Sequence, residues 1–170
     1  MRSNPLFVMM NRLSLFLFFI FSFVACSKDI PRDEDLGLYN LDVTLHPENL
    51  KAVSTKGYGL VKFRQAPDTA RIITLDTWVF NLKPLHAYLL QRAVNPITDN
   101  GCNSTSWLTL GKGLVPQSIQ TDEKGNGQEN LFRDITSIPR GTQFHITFQI
   151  VDAETLTTVL SSDCYQYTVR

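Results

Sequence analysis

Apolar and polar residues alternate with a period of two along most of this chain, the pattern of strands that bury one face. Leu41, Val43 and Leu45 alternate with Asp42 and Thr44, and Gly57, Gly59, Val61 and Phe63 alternate with Tyr58, Leu60, Lys62 and Arg64. The longer run from Arg71 to Phe80 opens with Ile72 and Ile73 side by side, which predicts burial on both faces or a bulge there. A further strand is expected from Ala87 to Ala93. The cleanest alternation is Phe144, Ile146, Phe148 and Ile150, with His145, Thr147 and Gln149 between them, and Tyr165 to Val169 closes the series. Turn-forming residues separate these runs at Ala66-Pro67-Asp68, Asn95-Pro96, Lys124-Gly125-Asn126-Gly127 and Pro139-Arg140-Gly141. No window carries an apolar stripe of helical period. Seven or eight short strands spaced in this way predict an all-β domain over residues 37–170, an antiparallel Greek-key β-sandwich.

The N-terminus breaks the pattern. Arg2 and Arg12 precede an apolar run of 12 residues from Leu13 to Val24, and the segment ends Phe23-Val24-Ala25-Cys26. A helix crossing a bilayer needs about 20 apolar residues, so the run has the length of a signal-peptide core instead. The segment resembles a bacterial lipoprotein signal peptide over residues 1–25, which implies a diacylglyceryl group on Cys26 and cleavage just before it. Phe23 stands where such signals most often carry Leu, and an ordinary secretory signal cleaved nearby is the competing reading. Three acyl chains on Cys26 would exceed the two signals that stable anchoring takes. Residues 26–36 read as a flexible tether, because Lys28-Asp29, Pro31 and Asp33-Glu34-Asp35 leave almost nothing apolar to bury. Its charges directly after the cysteine resemble the surface-export signals of Bacteroidetes lipoproteins. The expected location is therefore the cell envelope, lipid-anchored to the outer membrane, either periplasmic or surface-exposed.

Composition narrows the function classes. Removing the signal leaves 145 residues, the size of one domain. A domain of that length buries roughly 68% of its unfolded surface, enough for a self-sufficient core. Without Arg2 and Arg12, 14 basic residues face 16 acidic ones, a net charge of −2 with no basic stripe, which argues against a nucleic-acid partner. Of the three cysteines, setting aside Cys26 leaves Cys102 and Cys164, an even pair in an exported protein. A disulfide between them is expected, with two free buried thiols as the alternative.

From Gly59 to Gln91 the chain is similar to the first half of copper/zinc superoxide dismutases. A strand ends in Val61-x-Phe63, a long strand follows a turn, and Leu82-Lys83-Pro84-Leu85-His86-Ala87-Tyr88 forms a corner with a Leu-His-x-aromatic step. Gly101-Cys102-Asn103-Ser104 stands where that family has a Gly-Cys in a loop, and Cys164 stands at its partner cysteine. Thr121-Asp122-Glu123-Lys124-Gly125 resembles its Asp-rich hairpin turn. The resemblance spans about 110 residues and implies a superoxide dismutase-like sandwich with the Cys102–Cys164 bond. The Leu82-x-Pro84-x-x-x-Tyr88 piece fits the tyrosine corner of an immunoglobulin- or fibronectin-III-like sandwich equally well. The family's copper pair His-x-His corresponds here to Leu89 and Gln91. The interval from Cys102 to Gln117, where zinc ligands would fall, holds no His, Asp or Glu, and no histidine lies near Val151-Asp152. A copper site needs several converging imidazoles, so dismutase activity is not expected. His86 matches a family histidine that is not a ligand.

Other chemistries find little purchase. His46, His86 and His145 are dispersed, with His86 expected to pin the corner through a backbone hydrogen bond and His145 expected on an outward strand face. Asp122-x-Lys124-x-Asn126-Gly127 echoes a calcium loop, but Lys124 puts a cation where an oxygen ligand belongs and the twelfth position is Arg133. There is no Gly-x-Ser-x-Gly and no phosphate-cradling glycine loop. No cofactor, metal or catalytic residue is expected. Trp78 and Trp107 are the candidate ligand-binding residues. Trp78 is expected in the core if it shares a face with Phe80, and Trp107 to pack over the disulfide. The competing reading is an exposed aromatic platform for sugars or peptides. Asp68-Thr69-Ala70 resembles the O-glycosylation site of exported Bacteroidetes proteins, with Thr69 as the acceptor. The expected function is a non-enzymatic envelope or surface lipoprotein that binds a protein or glycan. An enzyme or metal protein with an unrecognised site, and a purely structural spacer, are the alternatives.

Overall fold

The computed structural model describes residues 39–47, 57–67 and 69–170. The signal segment, Cys26, the tether and Asp68 lie outside the described residues. Among those described there are twelve strands and no helix. The long strands are β1 (Tyr39–Pro47), β2 (Tyr58–Gln65), β3 (Ile72–Phe80), β4 (Ala87–Pro96), β9 (Gly127–Asp134) and β10 (Gln143–Asp152). The shorter ones are β5 (Leu108–Thr109), β6 (Gly111–Lys112), β7 (Val115–Pro116), β8 (Ser118–Gln120), β11 (Thr158–Ser162) and β12 (Tyr165–Thr168). Hydrogen bonds link them in the order β5-β4-β10-β11-β1-β2-β3-β9-β6-β7, with β12 on β10 and β8 on β4. The pairing is antiparallel except where Lys112 of β6 meets Phe132 of β9 in parallel.

The period of two decides what each strand buries. Gly59, Val61, Phe63 and Gln65 of β2 and Ile73, Leu75, Thr77 and Val79 of β3 are buried, as are Ile146, Phe148 and Ile150 of β10. Inner faces far apart along the strand order meet in one core. Phe63 packs edge-on to Phe148 at 6.2 Å between ring centroids and to Tyr167 of β12 at 4.8 Å. Edge-to-face pairs of this kind add stabilisation beyond their buried area.

The doubled isoleucines behave differently from expectation. Ile72 is 38% exposed while Ile73 is 6% exposed. β3 then pairs with β9 in unbroken register from Ile72↔Asp134 to Val79↔Gly127, so there is neither two-faced burial nor a bulge. Arg71, with φ at 53°, turns the chain into the strand just before it. A register shift does occur in β10, between Ile150 and Val151, and both of those residues are buried.

Two polar networks hold the ends of this core. Gln65 is fully buried; its Oε1 accepts from the Tyr167 hydroxyl and from the Arg170 N–H at 2.9 Å, and its Nε2 donates to the Arg170 carbonyl at 3.0 Å. The inward amide thereby ties the last residues of the chain to β2, and every polar atom it buries has a partner. At the corner before β4, the Lys83 N–H donates to the Tyr88 hydroxyl oxygen at 3.0 Å, the contact of a tyrosine corner. Cys102 and Cys164 form a disulfide with their Cα atoms 5.6 Å apart. It joins the loop after β4 to the start of β12. The same loop is pinned from inside by Asn95, whose side chain bonds Asp99, Asn103 and the Ser104 N–H.

Candidate binding surface on the outer face of β2 and β3

Because odd-numbered positions of β2 and β3 point inward, the even-numbered ones form the outer face. The antiparallel register sets Tyr58 opposite Phe80, Leu60 opposite Trp78 and Lys62 opposite Asp76. Tyr58 and Phe80 stack with centroids 4.7 Å apart and planes 22° from parallel. Tyr58 is 41% and Leu60 37% exposed. Lys62 reaches over Trp78, its Nζ 5.8 Å from the ring centroid, a cation–π distance. Thr44 of β1 lies across from Leu60 and Gln128 of β9 across from Trp78. The result is a small apolar patch with two aromatic rings stacked, a third beside them, and hydrogen-bonding side chains around it. Tyr58 and Leu60 are its most exposed members, and Trp78 and Phe80 are half-buried.

Trp78 does share a strand face with Phe80, but that face is the outer one, so its expected core packing is corrected. The core of β3 is built by the opposite face, where Ile73, Leu75 and Val79 are buried. Trp107 is 37% exposed and leads into β5, which pairs with β4. The two tryptophans therefore lie on separate strand pairs and do not combine into one platform. Tyr58, Leu60 and Phe80 are the patch members that sequence reasoning missed. The signal was the spacing of two between Tyr58 and Leu60 and between Trp78 and Phe80, and the missing information was which face turns outward.

The remaining predicted residues fall as follows. Thr69 is exposed in the turn between β2 and β3. His46 is exposed on β1. His145 lies on the face of β10 opposite Ile146 and Phe148, with Nδ1 3.9 Å from Cys164 Sγ. Gln91, at the position of a copper ligand in the dismutase resemblance, belongs to an amide chain. It accepts from Gln149 at 2.7 Å and donates to Thr109 at 3.0 Å, while Thr158 donates to Gln149 at 2.9 Å. In the hairpin before β9, Asp122 Oδ1 accepts the Lys124 and Asn126 N–H groups at 2.8 and 2.9 Å. Those bonds hold its carboxyl below the usual carboxylate range, with Asn126 the largest cause and Lys124 the next.

His86 pins the corner through its ring as well as its backbone, beyond the backbone bond expected for it. Its backbone N–H donates to Thr121 Oγ1 at 3.0 Å, and its ring Nε2 lies 2.7 Å from Asp152 Oδ2. Asp152 and Glu154 place carboxylate oxygens near this imidazole, all within 4.8 Å of one another. The other oxygen of Asp152 already accepts the Glu154 and Thr155 N–H groups at 2.9 and 3.0 Å. The cluster is therefore a turn cap locked onto the corner. The Thr155 N–H, then the Glu154 N–H and His86, lower the Asp152 pKa to about 2 from 3.8. A folded-state value below the unfolded one gives stability that is present above the unfolded pKa and is lost as pH falls through the folded one. Asp152→Asn is expected to lower Tm at neutral pH and to show a shallower fall in Tm between pH 4 and pH 2 than the wild type. Thermal melts across that range check this; parallel curves for the two proteins would show that the carboxylate is not part of the acid response.

The chain matches no family model, no curated protein and no solved structure.

Proposed function

We propose that this chain is a non-enzymatic, lipid-anchored module of the cell envelope that binds a glycan on the outer face of β2 and β3. The observation that carries this reading is the Tyr58–Phe80 stack beside Trp78 on an exposed sheet face. A pyranose ring has an apolar face of C–H bonds and a rim of hydroxyls. Flat aromatic faces take the first, and Lys62, Asp76, Thr44 and Gln128 around the patch supply donors and acceptors for the second. The wider reading is a Greek-key sandwich with the plan of a dismutase stripped of its metal ligands, exported by residues 1–25 and held to the outer membrane through Cys26. The Cys102–Cys164 bond supports that plan. The Tyr88 corner contact supports the immunoglobulin-like variant of it as well.

The test uses the full chain made in a diderm bacterium. Labelled palmitate is expected on the wild type and to be absent from Cys26→Ala; an unlabelled wild type would remove the anchor. On a glycan array the wild type is expected to select a set of saccharides. Trp78→Ala is expected to weaken their binding about ten-fold or more while leaving Tm close to the wild-type value, since the ring lies outside the core. An array without hits, or hits indifferent to Trp78→Ala and Tyr58→Ala, would sink the glycan reading.

A further inference from the structure

A second feature lies inside the domain, away from the outer face. A cavity of about 180 Å³ opens in the core, walled by inward side chains such as Phe63, Leu75, Ile146 and Ile138. Two of its lining residues do not belong to an apolar core: Arg92 of β4 and Arg133 of β9. Arg92 is in phase with Tyr88 and Leu90, which are buried, and Arg133 is in phase with the buried Leu131 and Ile135. Strand alternation thus sets both side chains along the cavity, where each remains partly exposed to solvent.

Neither arginine has a carboxylate within ion-pair distance among the described residues. Arg133 donates one N–H to the Gly113 carbonyl at 3.2 Å, which leaves most of its five donors unused. The Arg92 guanidinium has no hydrogen bond to any described residue, though its backbone is held between Phe148 and Leu108. Burial, and then the charge of Arg133 nearby, pull the Arg92 pKa below its usual range. Two like charges thus face each other beside an apolar cavity with no counter-ion from the chain, a setting that favours an anion between them. An apolar pocket with two convergent cationic side chains is the form of a site for an anionic ligand with an apolar body.

We infer that this cavity binds a small amphiphilic carboxylate, an acid with an apolar body of about six to eight carbons, with Arg92 and Arg133 holding its head group. Planar guanidinium forks match carboxylate geometry and form charge-assisted bonds. The volume sets the body: a cavity of about 150 Å³ accommodates benzene, and this one is slightly larger. A ligand of this kind would supply the missing negative charge and fill the apolar space at once. The site is independent of the outer aromatic patch and does not rest on the glycan reading.

The probe is sodium octanoate, added to the purified full chain and read by calorimetry and by the rise in Tm that a ligand of the folded state produces. Octanol, which keeps the tail without the charge, and acetate, which keeps the charge without the tail, are the comparison ligands. Octanoate is expected to bind and raise Tm, and each comparison ligand to bind about ten-fold more weakly or worse. Arg92→Met and Arg133→Met are each expected to reduce octanoate binding about ten-fold or more, while the ligand-free Tm of Arg92→Met stays level or rises. Trp78→Ala is expected to leave octanoate binding unchanged, which separates this site from the outer face. Three results would overturn the proposal: no binding of octanoate, equal binding of octanol, or a marked loss of ligand-free stability in Arg92→Met with octanoate binding retained.

Discussion

Cys102→Ser is expected to cost about 4 kcal/mol of stability, the loop-closure entropy that a cross-link over 62 positions removes from the unfolded chain. For a domain of this size that corresponds to a fall in Tm of roughly 10–20 °C. The bond lies within the usual Cα separation for a disulfide, 5.6 Å here. It staples together two pieces that little else connects directly: the loop beyond β4, held on its own strand through Asn95, and the entry to β12. Cys164→Ser should cost the same, and the double variant no more than either single one, because each substitution removes the whole cross-link. Dithiothreitol should lower the wild-type Tm by a similar amount and leave the variants where they are. Melts of the four proteins with and without reductant decide the matter. Losses that add in the double variant would mean that the two sulfurs contribute separately.

Gly125→Ala is the second large effect. Gly125 sits in the hairpin turn between β8 and β9 at φ 79°, a left-handed conformation that costs an L-residue roughly 1–2 kcal/mol. A Cβ there would also lie 2.0 Å from the Leu82 carbonyl oxygen, closer than any real contact. The turn is docked at this point, since the Leu82 N–H donates to the Gly125 carbonyl at 3.0 Å and the Leu85 N–H to that of Asp122 at 3.1 Å. Making room would pull the turn off the corner that Tyr88 and His86 organise, adding roughly 1–3 kcal/mol of overpacking. The total expected loss is about 2–5 kcal/mol, at the upper end if the corner is rigid. Gly101→Ala provides the control. Gly101 has φ 88° with nothing within 4 Å of a built Cβ, so only the backbone penalty applies. Chemical denaturation of both variants isolates the contact. Equal losses would show that the turn and the corner are not in close approach.

The elements that could be read from the sequence are those with one face buried by apolar side chains throughout. β1, β2, β3, β4, β10 and β12 all fall where alternation placed them, because a strand half in a core writes its period into its residues. β9 escaped notice since its inward positions are Gly127, Glu129, Leu131 and Arg133, with one large apolar side chain among four. β11 buries Leu160 alone. β5 to β8 are two or three residues long, too short to show any period. The candidate sites were less legible still. Trp78 could be assigned to the face it shares with Phe80, yet a strand with Ile72, Trp78 and Phe80 on one side and Ile73, Leu75 and Val79 on the other is apolar on both. Its partners β2 and β9 decide which side is covered.

By itself the sequence determined the all-β class, the positions of five of the six long strands, the pairing of the two cysteines beyond Cys26 and the corner at Leu82 to Tyr88. The class and the strands follow from short-range periodicity, the cysteine pair from counting and from the dismutase resemblance, and the corner from the resemblance to known sandwiches. Only the tertiary structure decided that Tyr58, Trp78 and Phe80 turn outward and that Arg92 and Arg133 line one cavity. Those outcomes depend on which strands become neighbours and how the linked strands bend back on one another. That is a balance of contacts between residues tens of positions apart, and no local pattern carries it.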